Sequence, residues 1–226
     1  MAFLQTGFPG LVVFEPNVFG DERGYFFESY NQQSFEKEGL YYNWVQDNQS
    51  SSTYGVIRGL HFQKGEHAQA KLVRCLSGRI LDVVVDLRKD SPTFKQVYAV
   101  ELNSEKKNAL LVPRGFAHGF SVLSETAEVL YKCDNFYNKQ SEGGLLYNDP
   151  SLKIDWKIEA GKEIVSGKDL VNSYTLTAKS TAFCQTFRFL KLCFSLIFRF
   201  ALSLFFGFDF SLLDSCLSLL ASFFIS

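Results

Sequence analysis

Residue types that build metal centres, disulfide frameworks and secretory signals are scarce in this chain of 226 residues. Its five cysteines are an odd number and form no Cys-x-x-Cys pair, which argues against a disulfide or zinc framework. The N-terminus, MAFLQTGFPG, has no basic segment followed by an apolar one, so no signal peptide is expected. Together these absences favour a reducing, cytoplasmic setting.

An excess of charge of one sign is also missing. The formal net charge is −1 and the pI is about 6.3. A chain without a broad basic field is not expected to bind nucleic acid or an anionic membrane surface. Any anionic ligand would therefore have to be held by individually placed arginine and lysine side chains.

Composition divides the chain into two pieces. Residues 176–226 hold twelve of the 24 phenylalanines and three of the five cysteines, with no proline and a single glycine, Gly207. Residues 1–175 carry every proline, every histidine and both tryptophans. We therefore expect one folded domain at 1–175 and an atypical tail, rich in Phe, Leu and Ser, at 176–226.

Short apolar runs separated by turn residues dominate the first piece. Turn signals spaced by roughly 8–12 residues are typical of an antiparallel sandwich or barrel. The run DVVVDL at 82–87 is apolar in both phases of a strand, which predicts a central strand covered on both faces. One short helix is expected at 33–39, with Ser34 as its N-cap and Gly39 just beyond its end. The predicted class is all-β, a jelly roll with a few short helices.

The three histidines, His61, His67 and His118, are the first candidates for proton transfer, because histidine ordinarily titrates nearest to neutral pH. Arg58 lies three residues before His61. In a regular strand these two side chains would point to opposite faces, and a bulge at Gly59 would change that.

Lys71 and Tyr131 lie in two further predicted strands, KLVR and VLYKC. A lysine that points into a barrel is costly unless it is paired with an anion or a ligand. A histidine base, a lysine cation and a tyrosine acid together suit the removal and return of a proton beside a carbonyl group. The simpler alternative is that these side chains fill the core or form local hydrogen bonds.

A metal centre is a further alternative, since two histidines on neighbouring strands could serve as ligands. Metal-binding jelly rolls of the cupin type usually carry a closely spaced His-x-His pair. The first histidine segment here reads HFQKGEH and lacks that pair. No metal is therefore expected.

Long segments of the chain resemble the dTDP-4-dehydrorhamnose 3,5-epimerase family, in order and over about residues 3–170. The resemblance implies a cupin-type jelly-roll homodimer that has no metal or organic cofactor. It also implies a dTDP-4-keto-6-deoxyhexose substrate in deoxysugar biosynthesis. The segments that carry it are DERGYFFESY, QDNQSSSTYGVIRGLHFQ, KLVRCLSGRILDVVVDLRKDSPTF, LLVPRGFAHGFSVLSETAEVLYKC and GLLYNDPSLKIDW.

The same resemblance implies the catalytic roles. His61 would remove the protons at C3 and C5, which the C4 ketone acidifies, and Asp169 would orient His61. Lys71 would stabilise the enolate oxygen. Tyr131 would return a proton on the opposite face of the ring.

Substrate-binding roles carry over onto nine further positions. In the family the N-terminal segment of one subunit reaches the site of the other, so the first two of these residues would serve the partner's site. Surface charge pairing is the simpler alternative for those two. The nine positions are Arg23, Glu28, Gln46, Asp47, Asn48, Arg58, His118, Glu142 and Lys168.

Two other functions stay open beside the double epimerase. One is a 3-epimerase on a related dTDP-4-keto-6-deoxysugar, and the other is a non-catalytic jelly roll that binds a sugar nucleotide. Tyr131 favours the double epimerase, because a second proton donor is needed at C5. The base and the acid together argue against a pure binding protein.

The tail at 176–226 departs from the family, whose chains end soon after the position of Asp169. Its longest run without charge, 215–226, is too short to span a bilayer, and Arg199, Asp209 and Asp214 interrupt the rest. Its apolar residues do not form one helical stripe. The favoured hypothesis is a non-native extension from a frameshift or read-through. A membrane anchor and an interaction helix are the alternatives.

Overall fold

A computed structural model describes residues 1–171 of the chain. The predictions for the tail at 176–226 lie outside these residues. The described part contains fourteen β-strands and one α-helix, α1 (Gln32–Lys37). The prediction of an all-β class is confirmed. None of the helices in this part is long and apolar enough to cross a membrane.

The first sheet has six antiparallel strands, whose spatial order is β1, β2, β10, β7, β12, β5. Their bounds are β1 (Ala2–Gln5), β2 (Val12–Glu15), β5 (Gln46–Thr53), β7 (Lys71–Ser77), β10 (Ala109–Val112) and β12 (Thr126–Cys133).

The second sheet follows the order β13, β6, β11, β8, β9, and β14 adds to β6 in parallel. Its other pairs are antiparallel. A separate hairpin is formed by β3 (Phe19–Asp21) and β4 (Gly24–Phe26). The bounds in the second sheet are β6 (Val56–Gln63), β8 (Arg79–Asp86), β9 (Val97–Asn103), β11 (Phe116–Val122), β13 (Glu142–Gly144) and β14 (Ile164–Val165).

The two sheets pack face to face over an apolar core, to which both contribute alternate residues. From the first sheet Val13, Val73 and Leu110 point inward, and from the second Val84 and Phe120. This arrangement is the two-layer sandwich that the jelly-roll prediction requires.

Strand β8 confirms the prediction for DVVVDL. It lies between β11 and β9 in the second sheet. Val84 packs into the core between the sheets, whereas Val83 and Val85 belong to a second cluster on the outer face. Trp156 and Leu152, from the C-terminal part of the domain, cover that outer face.

Helix α1 is found where it was predicted, but its N-cap lies three residues earlier than expected. Its N-cap is Asn31, whose side-chain oxygen accepts the backbone N–H of Ser34. Ser34 is therefore the third residue of the helix, and its assignment as the cap was wrong. Asparagine serves as an N-cap as well as serine does. Phe35 of the helix is fully buried against the outer face of the first sheet.

A β-bulge interrupts the pairing of β6 with β11. His61 pairs with His118 and Arg58 pairs with Phe120, so two residues of β6 lie opposite the single residue Gly119. Gly59, at φ +134°, permits the bulge, because a Cβ there would lie 2.5 Å from the Cα of Gly119. In a regular strand Arg58 and His61 would point to opposite faces of the sheet. The bulge breaks this alternation, as the sequence analysis allowed.

Candidate active site

A cavity of about 640 Å³ is the candidate site. It draws on strands of both sheets and on the segment that follows β14. Eight of the residues predicted to form the site line it together, and they are Asn48, Arg58, His61, Lys71, His118, Tyr131, Lys168 and Asp169.

The imidazole of His61 is hydrogen-bonded to the carboxylate of Asp169. Its Nε2 lies 2.6 Å from Oδ1 of Asp169. The side chain of Asp169 is only 4% exposed, whereas that of His61 is 32% exposed toward the cavity. An ionised carboxylate can only accept hydrogen bonds, so Nε2–H donates and Nδ1 keeps its lone pair.

The pKa of His61 lies below the ordinary value of 6.5. Burial lowers it by disfavouring the charged imidazolium, and the hydrogen bond and the charge of Asp169 partly oppose that effect. Lys71 and Lys168 lower the pKa further by charge repulsion. A neutral imidazole at neutral pH is the form that can remove a proton.

Lys71 and Tyr131 lie on neighbouring strands of the first sheet, on the face that looks into the sandwich. The Nζ of Lys71 is 5.5 Å from the centroid of the Tyr131 ring. Burial lowers the pKa of Lys71, and electrostatic interactions with Cys133, Asp82 and Glu142 oppose this. Burial raises the pKa of the Tyr131 phenol, which keeps it protonated.

A smaller chamber of about 280 Å³ continues from the main cavity and shares His61, Lys71, Tyr131 and Asn48 with it. Gln46 and Glu142 line it, as does Tyr137, which the sequence did not mark. The Tyr137 hydroxyl donates to Oε2 of Glu142 at 3.1 Å. The other oxygen, Oε1, accepts from Nζ of Lys168.

Arg58 is held at the cavity wall by β5. Its Nε donates to Oγ of Ser52 at 3.0 Å, and its Nη2 donates to the carbonyl oxygen of Ser51 at 3.4 Å. Ser52 is almost fully buried. The sequence gave no sign of this contact, because it joins two strands through side chains that no local pattern links.

Three predicted binding residues lie away from both chambers. Asp47 forms an ion pair with Lys132 at 3.0 Å. Arg23, on the β3–β4 hairpin, pairs with Asp21 of the same hairpin and is 84% exposed. Glu28 accepts a hydrogen bond from the side chain of Asn31. Within one chain the structure therefore does not bring these residues to the cavity.

Within residues 1–171, no group of three or more His, Cys, Asp or Glu side chains lies close enough to hold a metal ion. Each of the two cavity histidines is hydrogen-bonded to a carboxylate. His61 bonds to Asp169, and Nε2 of His118 lies 3.0 Å from Oδ2 of the fully buried Asp82. Asp82 was not among the predicted site residues. An acidic residue within an apolar strand was nevertheless a sign that this side chain is buried and paired.

Comparisons with known proteins agree on one family. The family model for dTDP-4-dehydrorhamnose 3,5-epimerase matches residues 5–176. The curated dTDP-4-dehydrorhamnose 3,5-epimerase of Salmonella typhimurium is 54% identical over 170 residues, which are 75% of this chain and 92% of that protein. The corresponding protein of Escherichia coli is 47% identical over 170 residues, 75% of this chain and 91% of its own.

Solved structures give the same result. The crystal structure of the dTDP-4-dehydrorhamnose 3,5-epimerase from Elizabethkingia anophelis is 57% identical, has a TM-score of 0.73, and covers 76% of this chain and 94% of its own. A 3′-monoepimerase from Streptomyces bikiniensis is 32% identical with a TM-score of 0.65, at 71% and 81% coverage. The cupin-type jelly roll is thereby confirmed, and this chain belongs to the dTDP-4-dehydrorhamnose 3,5-epimerase family.

Proposed function

We propose that this protein epimerises dTDP-4-dehydro-6-deoxy-D-glucose at C3 and C5 to dTDP-4-dehydro-L-rhamnose, in dTDP-L-rhamnose biosynthesis and without a cofactor. The observation that carries the proposal is the hydrogen-bonded pair of His61 and Asp169, which shares one cavity with Lys71 and Tyr131. A base, a cation and an acid around one cavity are what proton exchange beside a ketone needs.

His61 acts as the base. The C4 ketone of the substrate acidifies the protons at C3 and C5, and the Nδ1 lone pair accepts each of them in turn. Asp169 accepts Nε2–H at 2.6 Å, which fixes the tautomer and stabilises the imidazolium that forms. The lowered pKa keeps His61 unprotonated at neutral pH.

Lys71 stabilises the oxyanion. Removal of a proton from C3 or C5 places negative charge on the C4 oxygen, and a half-buried ammonium acts on that charge more strongly than one in bulk water. Tyr131 then delivers a proton to the opposite face of the ring. Its raised pKa suits a group that must be protonated before it donates.

The substrate's nucleotide and diphosphate are bound by the other cavity residues. Arg58 and Lys168 supply the positive charge for the diphosphate. Polar side chains at the smaller chamber bind the nucleotide end, and we assign this to Gln46, Asn48 and Glu142. Asp47 lies between Gln46 and Asn48 in β5 and takes part once substrate is bound. His118 binds the sugar from the second sheet.

Arg23 and Glu28 serve the site of a second subunit in a homodimer. The β3–β4 hairpin carries three large apolar side chains in solvent, with Phe19, Tyr25 and Phe26 exposed by 64%, 64% and 68%. Exposed apolar patches of this kind mark interaction surfaces. A hairpin that projects from one chain into a partner's cavity would bury them and bring both charged residues to the substrate.

The direct test follows both ring protons by proton NMR. Full-length protein is mixed with dTDP-4-keto-6-deoxyglucose in D₂O. We expect the C3 and C5 proton signals to disappear. Loss at C3 alone would favour the 3-epimerase alternative, which deserves a test because a 3′-monoepimerase has the same fold. Loss at neither position would refute the proposed reaction.

The His61→Asn variant separates an enzyme from a binding protein. We expect turnover to fall by orders of magnitude while the affinity for dTDP changes little. Unchanged turnover would contradict the role of His61. Full activity after exhaustive chelation would exclude the metal-dependent alternative.

The tail at 176–226 is, we propose, dispensable, and the epimerase domain ends near residue 175 and works in the cytoplasm. Every residue assigned a role above lies within 1–171. A 1–175 variant should therefore turn over substrate at the full-length rate. Soluble, folded 1–175 protein without activity would contradict a non-native origin and favour an interaction helix. Sedimentation of full-length protein with vesicles would favour a membrane anchor.

A further inference from the structure

Asp82 is a carboxylate inside the sandwich. It lies in the middle of β8, is fully buried, and points into the core between the sheets with Ile80 and Val84 on either side. Burial of an acidic group in apolar surroundings costs several kcal/mol unless partners compensate it. A chain that needed only a packed core would carry a valine or leucine here, so the partners of Asp82 indicate its purpose.

His118 is the first partner. Its Nε2 lies 3.1 Å from Oδ1 and 3.0 Å from Oδ2 of Asp82. The two residues are diagonal neighbours on β11 and β8, since Phe120 pairs with Asp82 and Val84 pairs with His118. The carboxylate can only accept, so His118 donates Nε2–H and is held in one tautomer and one orientation at the cavity wall.

Two imidazole–carboxylate pairs thus lie at paired positions of two strands, and both imidazoles line the cavity. His61 and His118 face each other across β6 and β11, and each bonds through Nε2 to its own buried aspartate. The pair with Asp169 is assigned above to proton removal. The pair with Asp82 has no such assignment.

Lys71 is the second group that Asp82 affects. The carboxylate of Asp82 acts from the second sheet on the ammonium in the first sheet and raises the pKa of Lys71, against the lowering effect of burial. Negative charge near a cation in a partly dry cavity favours its protonated form.

We propose that Asp82 is a positioning residue of the epimerase: its buried carboxylate orients His118 toward the substrate and is a counter-charge that keeps the Lys71 ammonium protonated. This inference rests on the proposed function, in which Lys71 stabilises the oxyanion. Asp82 itself lines neither chamber, so it acts through the other two residues.

Several titratable groups share this environment and enter the pH dependence. Asp82 faces His118 from β11 and Lys71 and Cys75 from β7, while Val100 is its partner on β9. Lys71 in turn faces four titratable groups besides Asp82, which are His61, Tyr131, Cys133 and Glu142. Of these residues, only Asp82 bonds to the ring of His118.

The kinetic test compares the pH profiles of wild type and Asp82→Asn. The amide keeps the shape of the side chain and removes its charge. Without that charge the pKa of Lys71 falls, so the alkaline limb of kcat/KM moves to lower pH. We also expect kcat to fall roughly tenfold at neutral pH, because part of the oxyanion stabilisation is lost.

Asp86→Asn is the matched control. Asp86 is equally buried on the same strand but bonds to Arg88, Ser91 and Thr93, away from both chambers. It should lower stability and leave the alkaline limb where it is in wild type. The same shift in both variants would indicate a general loss of packing and overturn the proposal, as would an Asp82→Asn limb that does not move.

An NMR measurement on unaltered protein decides the case if Asp82→Asn fails to fold. The protein is labelled with ¹⁵N-histidine, and the His118 signals are identified by their loss in His118→Gln. We expect a proton on Nε2, where it is donated to Asp82. A bare Nε2 with the proton on Nδ1 would refute the orienting role. Failure of the reaction itself is distinct, because wild type would then exchange neither ring proton in D₂O.

Discussion

The Nε2 of His61 lies 2.6 Å from Oδ1 of Asp169, although the two residues are 108 positions apart in the sequence. His61 lies in β6 of the second sheet, and Asp169 comes from the segment after β14. That segment is positioned where β14 adds to β6 in parallel. The site therefore depends on the final strand of the domain as much as on the sandwich.

Asp169→Asn should lower kcat and shift its pH dependence. Asp169 raises the pKa of His61, so its removal lowers that pKa further and moves the acid limb of kcat/KM to lower pH. The rate should nevertheless fall by about a hundredfold, because the asparagine no longer stabilises the imidazolium. The measurement is initial rate against pH. An acid limb that moves to higher pH would contradict the assigned pair.

Tyr131→Phe should separate proton removal from proton return. His61 and Lys71 remain, so ring protons still exchange with solvent, but the donor on the opposite face is lost. We expect deuterium wash-in to persist while epimerised product forms about a hundredfold more slowly. Proton NMR in D₂O measures both quantities in one sample.

Tyr98→Phe is the control for this change. Tyr98 also packs against the core between the sheets, and burial also raises its pKa, but it lines neither chamber. Its product rate should equal that of wild type. If Tyr131→Phe forms product at the normal rate, another group returns the proton.

Ser52→Ala should weaken substrate binding without changing the chemical step. The serine hydroxyl accepts from Nε of Arg58 at 3.0 Å and so fixes the guanidinium at the cavity wall. Loss of one such hydrogen bond costs about 1 kcal/mol, so KM should rise about fivefold while kcat stays the same. Ser51→Ala is the control, because Ser51 contacts Arg58 through its backbone carbonyl, which the substitution keeps. A fall in kcat with unchanged KM would contradict this assignment.

The fold class follows from local patterns, and the site follows from them only in part. Turn spacing and the apolar run at 82–87 predict a sandwich with β8 covered on both faces. This works because the apolar and polar residues of a strand show which of its faces are buried. Whether Arg58 shares a face with His61 depends on the bulge at Gly59. The sequence allows the bulge, but pairing with β11 decides it.

Contacts between distant strands account for what sequence reasoning missed. In the sequence, Asp82 is an unexplained acidic residue in an apolar strand. The pairing of β8 with β11 explains it, because it places His118 beside Asp82. Ser52 reads as one of several serines in a polar strand until Arg58 of β6 reaches it. Such partners depend on strand order and register. The pattern of residues within one segment does not show which strand that segment pairs with, or in which register.

Asp86 should make the stability of the domain depend on pH in the acid range. Its buried carboxylate accepts from Arg88 at 2.7 Å, from Ser91 at 2.6 Å and from Thr93 at 2.7 Å. Burial raises its pKa, and these hydrogen bonds outweigh burial and lower it from 3.8 to about 2. A carboxyl group whose pKa is lowered by folding stabilises the folded state at pH values above its unfolded pKa, and this contribution is lost as the pH falls from about 4 through about 2.

Asp86→Asn should therefore lower the free energy of unfolding by about 2 kcal/mol near neutral pH, and the difference from wild type should shrink at pH values near 2. Urea denaturation at both pH values measures this. Asp155→Asn, at an exposed ion pair with Lys157, should leave stability almost unchanged at either pH. A difference between wild type and Asp86→Asn that stays constant down to the lower pH would show that the substitution acts through packing and not through the charge.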